Sequence, residues 1–173
     1  MFTTVRVNRD TKELPRIMAL YRHAFPANER CPLDMLLDDR SGSSDFLAFY
    51  EEEAFCGFVC LLSHGDLTHI LYLAIEEEMR GKGYGTRALE AVRAARPGQR
   101  VLADIELDSP RAANREQREK RRQFYLRSGY RETEVRYSWR HESYEILAQG
   151  GTLTEEEFDA FWRYFEENTP LQY

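Results

Sequence analysis

Apolar residues change their spacing several times along this chain, and each change marks an element. Thr3–Val7 alternates as a first strand does. Over Asp10–Phe25 the apolar positions Leu14, Ile17, Met18, Tyr21, Ala24 and Phe25 recur at three- and four-residue intervals, the stripe of an amphipathic helix. Asp10 and Glu13 stand at capping-box spacing ahead of it, and Pro15 falls in its first turn, where a missing N–H does no harm. Pro32–Asp38 reads as a short second helix and Ser41–Ser44 as a loop. Three strands follow, Phe46–Tyr50, Ala54–Leu62 and Leu67–Ile75, and their short connectors predict an antiparallel meander. Helical spacing returns at Tyr84, with Ala88, Leu89 and Val92 on one face, and Pro97-Gly98 stops it. Arg100–Leu107 alternates again, so a strand–helix–strand crossover makes the fourth and fifth strands parallel neighbours. Asn114–Arg127 is a further helix ending at Ser128-Gly129, and Tyr130–Trp139 and Glu142–Ala148 are the last strands. Thr154 and Glu157 form a capping box for a closing helix with Phe158, Phe161, Trp162 and Phe165 on its apolar side.

Bulk numbers narrow this picture a little. A chain of 173 residues fits one domain, 1–173, in which 141–173 is a C-terminal strand and helix extension. No apolar run approaches the roughly 18 residues that span a membrane, and no signal peptide is visible. Three cysteines, Cys31, Cys56 and Cys60, match no metal-ligand spacing, so reduced thiols, no metal and a cytoplasmic location are expected. The net charge of −6 argues against general nucleic-acid binding. Charge is uneven, however. Arg111–Arg127 holds seven Arg or Lys against two Glu, a local +5 that leaves −11 on the remainder.

The chemistry concentrates where the strand Leu67–Ile75 passes through Glu76–Met79 into Arg80-Gly81-Lys82-Gly83-Tyr84-Gly85-Thr86 and then into a helix. Glycines let the backbone curl tightly, and successive N–H groups at a helix start point at an anion. The spacing is neither that of a P-loop nor that of a dinucleotide fingerprint. What remains is R-x-x-G-x-G, Arg80, Gly83 and Gly85, with a plain helix-start turn as the alternative. That signature resembles the pyrophosphate grip of the GNAT superfamily of acetyl-CoA-dependent N-acetyltransferases. A second segment, Phe124-Tyr125-Leu126-Arg127-Ser128-Gly129-Tyr130, is similar to the superfamily's F-Y-x-x-x-G-F/Y stretch. The resemblance covers roughly residues 3 to 140. It departs at Arg118, where the superfamily often has an Asn, and Asn114 lies eleven residues before the tyrosine instead of seven.

The resemblance implies an α/β (α+β) fold: a mixed, mostly antiparallel central sheet of six to seven strands flanked by helices and splayed between the fourth and fifth strands. It implies acetyl-CoA as co-substrate and a small-molecule or protein amine as acceptor. Amides from Lys82 through Thr86 would hold the pyrophosphate with Arg80 adding charge, and a free N–H near Leu73 or Ile75 would polarise the thioester carbonyl. Arg118 and Arg121 either contact the coenzyme's phosphates or belong to a solvated face. A homodimer is an option, with Phe158, Phe161 and Trp162 as contacts. Other acyl groups, and a non-catalytic acyl-CoA sensor, remain alternatives.

A lysine-like amine titrates at roughly 10.4, so its reactive form costs about 4–5 kcal/mol to reach at neutral pH and a base is wanted. His69 is one candidate, sharing strand parity with Leu71 and Leu73; the alternative is a hydrogen-bonded, idle histidine. Glu106 is the other, with Asp104 at the same parity: an acidic wall if that side is the cleft, surface carboxylates if it is solvent. Tyr125 is the candidate for protonating the departing sulfur, or else a core residue. The resemblance implies an acceptor pocket built from Ala24–Arg40 and Arg136–Tyr144, with Asn28, Glu29 and Arg30 either facing the acceptor or simply capping a helix.

Overall fold

The computed structural model describes residues 1–37 and 42–168. The expected loop at Ser41 and the ends of two expected segments, Asp38 and Arg40, lie outside the described residues. Seven strands, β1 (Phe2–Arg6), β2 (Ser44–Glu51), β3 (Ala54–His64), β4 (Leu67–Ile75), β5 (Arg100–Glu106), β6 (Arg131–Trp139) and β7 (Glu142–Gln149), form one sheet in the order β1-β2-β3-β4-β5-β7-β6. Neighbouring strands are antiparallel except β4 and β5, which run parallel. The strand from the 141–173 segment is therefore internal, lying between β5 and β6.

Helices α1 (Leu14–Ala24), α2 (Leu33–Leu37) and α5 (Glu155–Asn168) bury Ile17, Leu20, Tyr21, Leu33, Phe158, Phe161 and Phe165 on one face of the sheet. Helices α3 (Tyr84–Ala95) and α4 (Arg115–Arg127) cover the other, with Ala88, Leu89, Val92 and Tyr125 against Ile70, Ala103 and Ile105. No helix of the described residues is long and apolar enough to cross a membrane.

Two local expectations change. The first helix begins at Leu14, not Asp10. The Asn8 Oδ1 accepts from the Asp10 N–H at 2.9 Å and the Asn8 N–H donates to Thr11 Oγ1 at 2.9 Å, so an Asx-type turn takes the residues expected to cap. The apolar face of α5 is not an outward contact surface. Phe158 and Phe161 are buried in the chain's own core, because α5 joins α1 and α2 in covering that face of the sheet. The capping box at its start is present: the Glu157 N–H donates to Thr154 Oγ1 at 3.2 Å, and the Thr154 N–H to Glu157 Oε2 at 2.9 Å.

Candidate active site

The site is made by a failure of pairing. The β4–β5 ladder runs from Leu67–Arg100 to Ile70–Ala103 and stops, although β4 continues to Ile75 and β5 to Glu106. Where it stops, β4 carries an extra residue: Cys60 faces Tyr72 and Leu61 faces Ile70, so Leu71 is a bulge. The two strands part there, and the expected splay between the fourth and fifth strands is present.

The bulge also corrects the parity argument for His69. Beyond Leu71 the alternation is reset, so Leu73 and Ile75 pack towards α3 and α4, whereas His69 meets Phe158, Phe161 and Trp162 of α5. His69 and Leu73 therefore occupy opposite faces.

Backbone polarity along the open edge follows from one hydrogen bond. The Glu76 N–H donates to the Cys56 carbonyl at 2.8 Å. In an antiparallel ladder bonded and unbonded pairs alternate, so Ala74 and Tyr72 bond to β3 while the N–H groups of Leu73 and Ile75 face the gap. The Ile75 carbonyl, on the same side, accepts from Arg80 Nε at 3.0 Å. The opening is a cleft of about 1320 Å³ that runs through the sheet from the start of α3 to the C-terminal end of α1.

At the α3 end, Gly81 and Gly83 hold φ of +72° and +84°, and a Cβ built on either would meet no atom within 4 Å. Glycine is wanted there because the left-handed region costs other residues about 1–2 kcal/mol. No amide from Gly81 to Thr86 donates to an acceptor among the described residues; the first helical bond is Arg87 N–H to the Gly83 carbonyl at 3.1 Å. Arg80, Gly81, Gly83, Gly85 and Thr86 line the cleft. The side chains of Lys82 and Tyr84 do not; Tyr84 packs its ring on Phe2 instead. A row of unpaired N–H groups at a helix start, under open space, fits a diphosphate.

Phe124 lies against Gly85, where a Cβ would come within 3.1 Å of its ring. This seats α4 over α3 and turns Tyr125 into the cleft. The Tyr125 side chain is buried, and its hydroxyl makes no hydrogen bond among the described residues. Burial first, then the charge of Asp104, push its phenol well above the ordinary tyrosine range, so it stays protonated.

Two arginines of α4, Arg118 and Arg121, are committed to carboxylates. Arg118 donates to the Leu107 carbonyl at 2.9 Å, to Asn114 at 2.8 Å and to Glu142 at 3.1–3.2 Å, which braces the ends of β5 and β7. Arg121 pairs with Glu106 at 2.5 Å. Both line the cleft, but neither is a free cation.

The far end of the cleft is acidic and aromatic. Asp104 and Glu106 face it, with Glu29, Glu142, Tyr72, Tyr137, Trp139 and Tyr144. Glu29 precedes α2, fixed where the Tyr72 hydroxyl donates to its carbonyl at 2.9 Å and the Tyr144 hydroxyl to its Oε1 at 3.3 Å. Burial first, then the charge of Glu106, raise its carboxyl above the usual range. His69 is fully buried; its Nε2 donates to Asp104 Oδ1, and the Tyr137 hydroxyl donates to Asp104 Oδ2. Its Nδ1 is sealed from solvent without a partner. One nitrogen of His69 is thus spent on Asp104, and the other has no partner among the described residues. Tyr137 and Tyr144 fall within the expected acceptor segment Arg136–Tyr144, but no motif singles them out; they meet only through the Tyr137–Tyr144 register of the β6–β7 hairpin.

A family model described as the acetyltransferase (GNAT) domain matches residues 42–132 of this chain, more than half of it. Among curated proteins none matches. Solved structures similar to it include a putative GNAT-family acetyltransferase from Bacteroides thetaiotaomicron, 17% identical at a TM-score of 0.77, covering 96% of this chain and 97% of that one. The ribosomal-protein-S18-alanine N-acetyltransferase from Escherichia coli is 16% identical at a TM-score of 0.61, covering 89% and 96%. An aminoglycoside 6'-N-acetyltransferase complexed with coenzyme A is 16% identical at a TM-score of 0.64, covering 85% and 96%. At such identities the likeness is one of fold.

Proposed function

Because the chain belongs to the GNAT acetyltransferase family, we propose that it transfers the acetyl group of acetyl-CoA to a primary amine held in the acidic half of its cleft. The observation that carries this reading is the row of unbonded amides from Gly81 to Thr86, at one end of a cleft whose other end is walled by carboxylates and aromatic rings. An aminoglycoside 6'-N-acetyltransferase of similar fold is complexed with coenzyme A, which supports the choice of donor. Bound acetyl-CoA supplies a thioester whose C–S bond breaks as the acceptor nitrogen forms the new C–N bond.

The residues would divide the work by position. Amides of Gly81–Thr86 hold the diphosphate, with the guanidinium of Arg80 beside them. N–H groups of Leu73 and Ile75, facing the gap, donate to the thioester carbonyl as negative charge grows on its oxygen. The Tyr125 hydroxyl holds a proton for the departing sulfur and recovers one from the newly bonded nitrogen. Carboxylates at the far end attract the acceptor as a cation, and the rings of Tyr137, Trp139 and Tyr144 offer faces to it.

Tyr125→Phe tests the reading. The acetylation rate should fall by about 10²-fold or more, the range for a positioned proton donor, while the acetyl-CoA Kd measured by calorimetry stays the same. Unchanged turnover would remove Tyr125 from the chemistry. Coenzyme binding without turnover in the parent chain would turn the reading to a sensor.

A further inference from the structure

The carboxylates of the cleft differ in what already holds them. Glu106 is matched by Arg121 at 2.5 Å and Glu142 by Arg118 at 3.1 Å, each against a full positive charge. Glu29 stands on the segment before α2, where its Oε1 accepts from the Tyr144 hydroxyl at 3.3 Å. Asp104 accepts only from a tyrosine hydroxyl and an imidazole N–H. It lies one residue beyond the last β4–β5 pair, Ile70–Ala103, at the floor of the split. Its side chain is 21% exposed, it lines the cleft, and its charge acts on the Tyr125 phenol across the gap.

From this arrangement we infer that Asp104 is the group that meets the acceptor's ammonium and takes its proton, with His69 and Tyr137 as positioning residues that fix the carboxylate. The inference rests on the acetyl-transfer reading above and names the proton acceptor within it. One N–H bond of the ammonium breaks, its electron pair stays on nitrogen, and the proton passes to a carboxylate oxygen of Asp104. The neutral nitrogen then has the lone pair with which it attacks. Asp104 returns the proton to water through the cleft once product leaves. Each Asp104 oxygen keeps a lone pair for the substrate, because each accepts a single hydrogen bond from the chain. His69 is suited to positioning and not to proton exchange. Its Nδ1 is walled off, and its ring is wedged edge-on by Phe158, Phe161 and Trp162.

The test uses the full chain with putrescine, tyramine and kanamycin as amine probes, the one turned over fastest being carried into kinetics. Asp104→Asn should lower kcat by about 10²–10⁴-fold near neutral pH and leave the acetyl-CoA Kd from calorimetry within about twofold. Its kcat/KM should then rise about tenfold per pH unit towards the amine's own pKa of roughly 10, since solvent alone must remove the proton. His69→Gln, which retains an N–H for Asp104, should keep most of the rate, and His69→Leu should lose far more; both should keep the parent pH profile. Without any substrate, Asp104→Asn should move a tyrosinate absorbance titration towards the ordinary tyrosine range. If Asp104→Asn does not fold, Asp104→Glu, displaced by one methylene, should show the same kcat loss at unchanged acetyl-CoA affinity. An Asp104→Asn chain with near-parent kcat and pH profile, or a loss that follows Glu29→Gln instead, overturns the assignment. A parent chain inert with all three probes overturns the acetyl-transfer reading itself, and the assignment falls with it.

Discussion

Replacing Gly83 by alanine separates what the loop does for folding from what it does for binding. Gly83 holds φ at +84°, and the added methyl would enter open space, meeting no atom within 4 Å. The folding cost is therefore backbone strain alone, about 1 kcal/mol, or roughly 2–4 °C in Tm for a chain of this size. The binding cost should be larger, because that open space lies over the amides proposed to hold a diphosphate. Losing one hydrogen bond to a charged group costs about 1.5–3 kcal/mol, which is roughly a 10- to 100-fold rise in Kd. Calorimetric titration with acetyl-CoA beside urea unfolding reads both quantities. Gly65→Ala is the matched control, with φ of +60° and the same free space but a place in the β3–β4 turn outside the cleft. It should show the strain and leave Kd alone. Equal Kd for parent and Gly83→Ala chains, with the stability loss present, would refute the argument that the loop's open face is a binding surface.

Two further predictions concern α5. Phe161 is 2% exposed, so Phe161→Ala should cost about 3–5 kcal/mol in urea unfolding; a stability near that of the parent would mean that this face does not serve the chain's own core. Glu157, hydrogen-bonded first by Arg100 and then by the Thr154 N–H, has its carboxyl lowered from 4.5 to about 2. Its folded-state pKa lies below the unfolded value, so its stabilisation is fully present above about 4.5 and fades as pH falls towards about 2. The difference in urea midpoint between parent and Glu157→Gln chains should shrink over that window, and a constant difference would contradict it.

Local signals were legible where chemistry and geometry sit on the same few residues. The glycines of Arg80–Thr86, the crossover that makes β4 and β5 parallel, and the cap at Thr154–Glu157 are all readable from short windows. What was not legible depends on distant pairings. The bulge at Leu71 appears only when β4 is laid on β3, and it reverses which face His69 shares. The charge of α4 left its arginines between phosphate contacts and a solvated face, yet Arg118, Arg121 and Arg122 find Glu142, Glu106 and Glu145 on strands that come next to it only in the fold. Asp104 looked like a companion of Glu106. It is set apart by Tyr137 and His69, two partners from different strands.

Mass spectrometry of a single reaction reads acetyl transfer from coenzyme to amine without an intermediate assumption. Purified chain, acetyl-CoA and each amine probe are incubated, and free coenzyme thiol is quantified beside acetylated amine. The two products should appear in equal amounts, and only when both substrates are present. Thiol released without acetylated amine, or neither product with any probe although acetyl-CoA binds, would contradict it.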